Sequence, residues 1–396
     1  MTTIPQPVTA QRLPALDALK GAACVLIVLH HLAFYGPMSD VLHRHVPWMI
    51  DWFYDYGRMA VQVFLVVAGF LAAASLAPCG TARFTQPGRL ILRRYLRLLP
   101  PYLVAVAASV LITAMVRPWF DHSSVPAAPT LMQIVAHALL LQDLMGYDAL
   151  SAGVWYVAID LQLFALAVLI LASARGLQRS QPASGAWLAM IMVALLGTAS
   201  LLVFNRHRGL DATALYFFGS YALGMLAFWV SDIPAGEKGH VESGQPFARF
   251  ASEWRLAGAT LIALLGCVAL LIEFRSRIAV ASLVALGLIA LATATITSAA
   301  RPSLSSRREF LRAVLRRSGL VRIGQMAYSI FLIHFSVCLL VNAVVTHFWP
   351  ADFLPNALGV ITALGLSLLA GAVLYRSVES RATQVPGLPL TTLVQR

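Results

Sequence analysis

The chain has 396 residues, 59% of them hydrophobic and only 12% charged, with a formal net charge of +12. Soluble domains carry about 25% charged residues, so this composition, with a mean hydropathy of +0.77, excludes an ordinary water-soluble globule and marks an integral membrane protein. The positive charge raises nucleic acid as a partner, but its distribution along the chain fits membrane topology instead.

Apolar runs at 16–34, 59–79, 100–116, 152–174, 186–204, 212–230, 256–273, 278–298, 324–347 and 356–376 each approach the ~20 residues that cross hydrocarbon. The expected fold is all-α, a polytopic membrane helix bundle of about ten transmembrane helices. It forms a single domain over 1–396 with its core at 13–381 and both termini on the cytoplasmic side. With that orientation the outer segments hold Arg44, Arg58, Arg117, Arg206, Arg208, Arg275 and Arg277, and the other 22 lysines and arginines lie inside, as the positive-inside rule requires.

Residues 131–147, LMQIVAHALLLQDLMGY, tempt an eleventh crossing, which would turn the arginine-rich 301–322 outward. A helix lying at the outer face or dipping partway in is expected there instead. The polar stretches 231–255 and 299–322 fall inside, the first as a flexible loop, the second as a helix with a basic face toward anionic headgroups. The first apolar run starts too far from the N-terminus for a signal peptide and lacks a small-residue cleavage site, so it is expected to remain as an anchor. Cys24, Cys79, Cys267 and Cys338 show neither disulfide nor metal spacing, and no metal site is expected.

The first run, LDALKGAACVLIVLHHLAF, holds charge inside hydrocarbon. A helix turns ~100° per residue, so Asp17, Lys20, Cys24, Val28 and His31 form one stripe, while His30 points away. His31 lies about 16 Å beyond Lys20 along that stripe. Intramembrane ionisable residues mark function, and this stripe joins an anion-binding cation at the inner mouth to a titratable base deep in the membrane. An enzyme fits such a stripe. So does a transporter or flippase for a sugar or anionic substrate, although the internal repeat common in transporters is not visible.

The stripe resembles the first-helix signature of the acyltransferase 3 family: Leu-Asp, then an arginine, ten residues and a histidine. Lys20 stands where the family has arginine, keeping the charge without the bidentate fork, and the aligned histidine is His31. Further blocks follow in order. MAVQVFLVVAGFLAA (59–73) has Ala68 for the family's serine before Gly69 and Phe70. RRYLRLLPPY (93–102) supplies Arg94, Arg97 and Pro100, and VWYVAIDLQLFAL (154–166) keeps Trp155 but carries Asp160 for glutamate. YSIFLIHFSV (328–337) gives Tyr328, Ser329 and His334, and YRSVESR (375–381) ends the series at Glu379.

The resemblance implies a membrane-bound acyltransferase in the bacterial cytoplasmic (inner) membrane. It would move an acyl group, most often acetyl, from cytoplasmic acyl-CoA to a hydroxyl of a carbohydrate or glycolipid acceptor. Acyl-CoA is then a co-substrate, and no permanently bound cofactor is implied. His31 would be the general base, oriented by Asp160 or by Asp17, unless Asp160 instead binds the acceptor or holds Arg94 or Arg97. Lys20, Arg94 and Arg97 would dock the CoA phosphates, and Trp155, Gln162, Tyr328, Ser329 and His334 would contact substrate. Direct transfer and an acyl-histidine intermediate both stay open, as do the acceptor's identity and the oligomeric state.

Overall fold

The computed structural model describes residues 14–180, 187–232, 245–300 and 318–382. Among the described residues all regular elements are helical, and ten helices are long and apolar enough to cross a membrane. The protein is a multi-pass membrane bundle. In chain order the helices are α1 (Pro14–Phe34), α2 (Pro37–His43), α3 (Pro47–Tyr56), α4 (Ala60–Leu76), α5 (Pro87–Val116), α6 (Leu131–Ala138), α7 (Val154–Ser180) and α8 (Trp187–Leu202). They continue with α9 (Ala214–Ser231), α10 (Gln245–Ile272), α11 (Ser276–Ala300), α12 (Gly319–Gln325), α13 (Ala327–Phe348) and α14 (Phe353–Leu374), which runs on through a π-turn at Tyr375–Glu379. The face where α1 begins is called the near face below, the opposite one the far face. Residues 301–317 of the basic stretch and 233–244 of the loop lie outside the described residues; the loop expected to run to 255 has ended by Gln245, where α10 begins.

Three crossings start earlier than hydropathy alone indicates, one of them α10, at Gln245 instead of 256. α3 leads through a 3₁₀ turn (Gly57–Met59) straight into α4, and α5 begins at Pro87, ahead of the apolar run at 100. Pro47 and Pro87 each sit at the start of a helix, where a proline's fixed φ and missing N–H cost nothing. The arginines of the first turns of α5 are accommodated because long cationic side chains reach back toward water.

α9 is the most enclosed crossing, followed equally by α13 and the α3–α4 crossing, and α10 is the least. Backbones touch where glycines remove the obstacle of a side chain. A methyl group on Gly69 of α4 would collide with the carbonyl of Tyr221, and one on Gly224 of α9 with that of Val66. The same reciprocal contact joins α1 to α12, Gly21 against the Leu320 carbonyl and Gly324 against that of Asp17. Small residues of this kind let membrane helices pack without a hydrophobic driving force.

The segment 131–150 does not cross. α6 is capped by Thr130, whose hydroxyl accepts from the Gln133 amide in a capping box, and ends after eight residues. The chain then turns through Leu140 and Gly146, both with positive φ. It is held along α5 at two heights: the Tyr95 hydroxyl donates to the Ala138 carbonyl (2.8 Å) and the Ser109 hydroxyl to the Leu150 carbonyl (2.6 Å). Tyr95 and Ser109 are fourteen residues apart, about 21 Å of helix. The segment is therefore let into the bundle from the far face, with Leu140 buried beside Leu98 and Tyr102.

Candidate active site

α1 stops three residues after His31, whereas α13 continues for fourteen residues past His334, about 21 Å. The far-face side above these histidines is closed by α2 and α3 instead. Met38 of α2 is fully buried, and its amide donates to the Asn342 side chain of α13 (3.3 Å).

The stripe read from the sequence faces α13. Cys24 and Val28 are fully buried in a cluster with Ala327, Ile330 and Cys338. At its deep end His31 and His334 stack, with ring centroids 4.8 Å apart and planes inclined by 13°. His31 Nδ1 lies 2.6 Å from His334 Nε2, and His334 Nδ1 lies 2.7 Å from the Phe331 carbonyl.

These contacts fix the tautomers. A carbonyl can only accept, so His334 Nδ1 carries a hydrogen. A neutral His334 then offers a lone pair at Nε2, and His31 must donate from Nδ1. His31 Nε2 is left without a hydrogen and has no hydrogen-bond partner among the described residues. His31 keeps 8% of its surface accessible, His334 none. The Tyr35 ring leans over His31 on the far-face side, at 5.4 Å.

Neither candidate carboxylate reaches His31, which corrects the expectation that Asp160 or Asp17 orients it. Asp160 of α7 is bound by Arg94 of α5 (2.6 Å), the alternative pairing weighed for it, and Asp17 by Lys20 one turn on (2.8 Å). The reason is depth. Both carboxylates lie nearer the near face than the imidazoles, among cations that claim them first. Arg94 also lies over the Phe164 ring at 5.3 Å. His30 is buried too, but its Nδ1 donates to the Phe53 carbonyl (3.0 Å), so it braces α3.

The remaining candidates divide. Ser329 donates to Glu379 of the π-turn (2.6 Å), with the exposed Arg97 an electrostatic neighbour of that carboxylate. The Tyr328 hydroxyl is spent on the Leu98 carbonyl (2.9 Å). Gln162 is spent at both ends, accepting from the Ala214 amide (2.9 Å) and donating to the Ala212 carbonyl (3.3 Å). It pins the start of α9 and has little left for a ligand. Trp155 is half-buried against Tyr156 and Phe217. Sequence reasoning missed Tyr35, Phe64 and Tyr156, whose ring types carry no signal until the fold brings Tyr35 beside His31 and the other two against Phe331. Among the described residues no three His, Cys, Asp or Glu side chains are placed to share a metal ion.

A family model described as an acyltransferase domain, that of acyltransferase 3, matches residues 13–376. No curated protein and no solved structure matches the chain.

Proposed function

The chain belongs to the acyltransferase 3 family and is a membrane acyltransferase, and from that premise we propose that it moves an acyl group from acyl-CoA to a hydroxyl, with His31 as general base. The observation that carries this reading is the hydrogen-bond chain from the Phe331 carbonyl through His334 to His31, which leaves Nε2 of His31 as a bare lone pair. The hydroxyl oxygen attacks the thioester carbonyl carbon while its proton passes to Nε2. The C–S bond then breaks, and the departing thiolate takes that proton to give free CoA. As His31 becomes imidazolium, its Nδ1–H donates more strongly to His334 Nε2, so His334 holds the ring as a carboxylate does in a triad. General base catalysis of this kind contributes ~10²–10⁴-fold.

In this reading the near face is cytoplasmic, and the CoA phosphates dock at its cations. Lys20, with its side chain 25% exposed, and the exposed Arg97 are better placed for that than Arg94, which Asp160 already occupies. The acyl group is acetyl, and the acceptor is a carbohydrate or glycolipid hydroxyl of a bacterial cell envelope. It approaches from the far face, where α3 displays Trp48, Trp52 and Tyr54, amphipathic rings of the sort that pack against sugars or interfacial lipid. The membrane is the bacterial inner membrane.

The test is release of free CoA, and of a labelled ester, from labelled acetyl-CoA by purified protein given a sugar acceptor. His31→Ala is expected to lose ~10²–10⁴-fold at equal expression, and His30→Ala to stay within a few-fold. Equal loss in both variants would remove the base assignment. A thioester left untouched by the unmodified protein would favour a transporter.

A further inference from the structure

Three aromatic rings separate the near-face ion pair from the imidazoles. Tyr156 lies one turn from Asp160 on α7, toward the far face. Phe331 lies three residues before His334 on α13, toward the near face. Both rings therefore fall between the depth of Arg94–Asp160 and that of His31–His334, and Phe64 of α4 joins them. Ring centroids are 5.3 Å apart for Tyr156–Phe331, 6.1 Å for Phe64–Tyr156 and 6.3 Å for Phe64–Phe331. Phe331 is also 5.9 Å from the His334 ring.

The three rings are not held alike. Phe331 is 5% exposed and backed by Gly153, where a Cβ would come within 2.6 Å of its carbonyl and 3.1 Å of its ring. Its carbonyl also fixes His334, so it cannot move without disturbing the base. Phe64 and Tyr156 are only partly buried, so their rings keep some accessible surface at the depth between the ion pair and the imidazoles.

We propose that Phe64 and Tyr156 form the end wall for the acyl group and set its length, so that the protein takes short acyl thioesters and rejects longer ones. This inference rests on the acyl-CoA reading above. A thioester whose carbonyl stands at His31 turns its acyl carbons against these rings, which lie within one ring contact of His334. A surface of three aromatic faces accepts hydrocarbon and stops a chain that outgrows it. Hydrophobic pockets discriminate by about 10–200-fold per methylene, enough to separate acetyl from butyryl.

The experiment compares kcat/KM for acetyl-, butyryl- and hexanoyl-CoA in the unmodified protein, Phe64→Ala, the milder Phe64→Leu, and Tyr156→Leu. Phe228→Ala, on the distant Phe70–Phe228 contact, is the control. The butyryl-to-acetyl ratio is expected to rise at least ~10-fold in Phe64→Ala, less in Phe64→Leu, and not in Phe228→Ala. Should Phe64→Ala fail to fold, Phe64→Leu and Tyr156→Leu carry the same comparison. An unchanged ratio in these variants of an active protein, or an equal rise in Phe228→Ala, would overturn the wall while leaving the acyl-CoA reading intact. A protein that turns over no acyl-CoA of any length overturns that reading, and the wall with it.

Discussion

The near-face half of the core and the imidazole pair solve the same problem in opposite ways. Toward the near face the candidate carboxylates each meet a partner: Asp17 meets Lys20, Asp160 meets Arg94, and Glu379 accepts from Ser329. One level deeper His31 and His334 share a hydrogen and lean on a backbone carbonyl, with no carboxylate in contact. Charge in a low-dielectric interior must be answered or it destabilises the fold. A carboxylate that answers an arginine is no longer available to orient an imidazole. In the proposed mechanism the reactive group is the one whose lone pair was left over.

This contrast breaks most visibly at Arg94. Arg94→Ala leaves Asp160, whose side chain is 9% exposed, as an unpaired buried charge. A loss of about 3–5 kcal/mol of stability is expected, read as a lower thermal midpoint in detergent. Arg94→Met combined with Asp160→Leu is expected to recover most of it. If the single variant melts like the unmodified protein, the pair is not what holds α5 to α7.

At the imidazoles the cost falls on rate and spares the fold. His334→Ala is expected to lower kcat about 10²-fold with KM for acyl-CoA unchanged. That is less than the ~10⁴-fold cost of a wrong tautomer in a serine-protease triad, because a neutral imidazole supports an imidazolium less than a carboxylate does. A change confined to KM would make His334 a binding group instead. Lys20→Ala is expected to act the other way, raising KM for acyl-CoA about tenfold with little change in kcat and within ~1 kcal/mol in stability. Lys20→Arg should restore KM.

The smallest effect belongs to the re-entrant segment. His137 Nδ1 donates to the Gln133 carbonyl (2.8 Å), and its Nε2 accepts from the Leu150 amide (3.1 Å), so it is held neutral. Burial lowers its pKa below the usual 6.5. The unfolded segment then binds more protons than the folded one below about pH 6.5, and stability falls as pH drops through that window. Hydrogen exchange across 139–150, corrected for its intrinsic pH dependence, should show protection weakening between pH 7.5 and 5.5. His137→Gln should flatten that slope. An acid-insensitive segment in the unmodified protein would mean that the imidazole is not the latch.

Hydropathy located all ten crossings, because twenty apolar residues in a row have few other uses. It missed the full reach of three of them, two for a visible reason. The residues 47–56 carry Trp48, Asp51, Trp52 and Asp55, and the first turns of α5 carry arginines, so neither looks like hydrocarbon-facing helix. The helical stripe identified the face of α1 that turns into the bundle but not what that face meets. His31 and His334 are 303 residues apart and Arg94 and Asp160 are 66 apart. Which carboxylate answers which cation is decided by depth in the assembled bundle, and no local spacing records it.

The glycine contact between α1 and α12 has a consequence for how the protein is made. At ~5–20 residues per second, the ribosome delivers Gly324 roughly 15–60 s after Gly21. Throughout that interval the opening helix waits in the bilayer with its histidine unmatched. Under the proposed mechanism the growing chain is inert through that interval, and its chemistry waits for α12 and α13 to dock against α1.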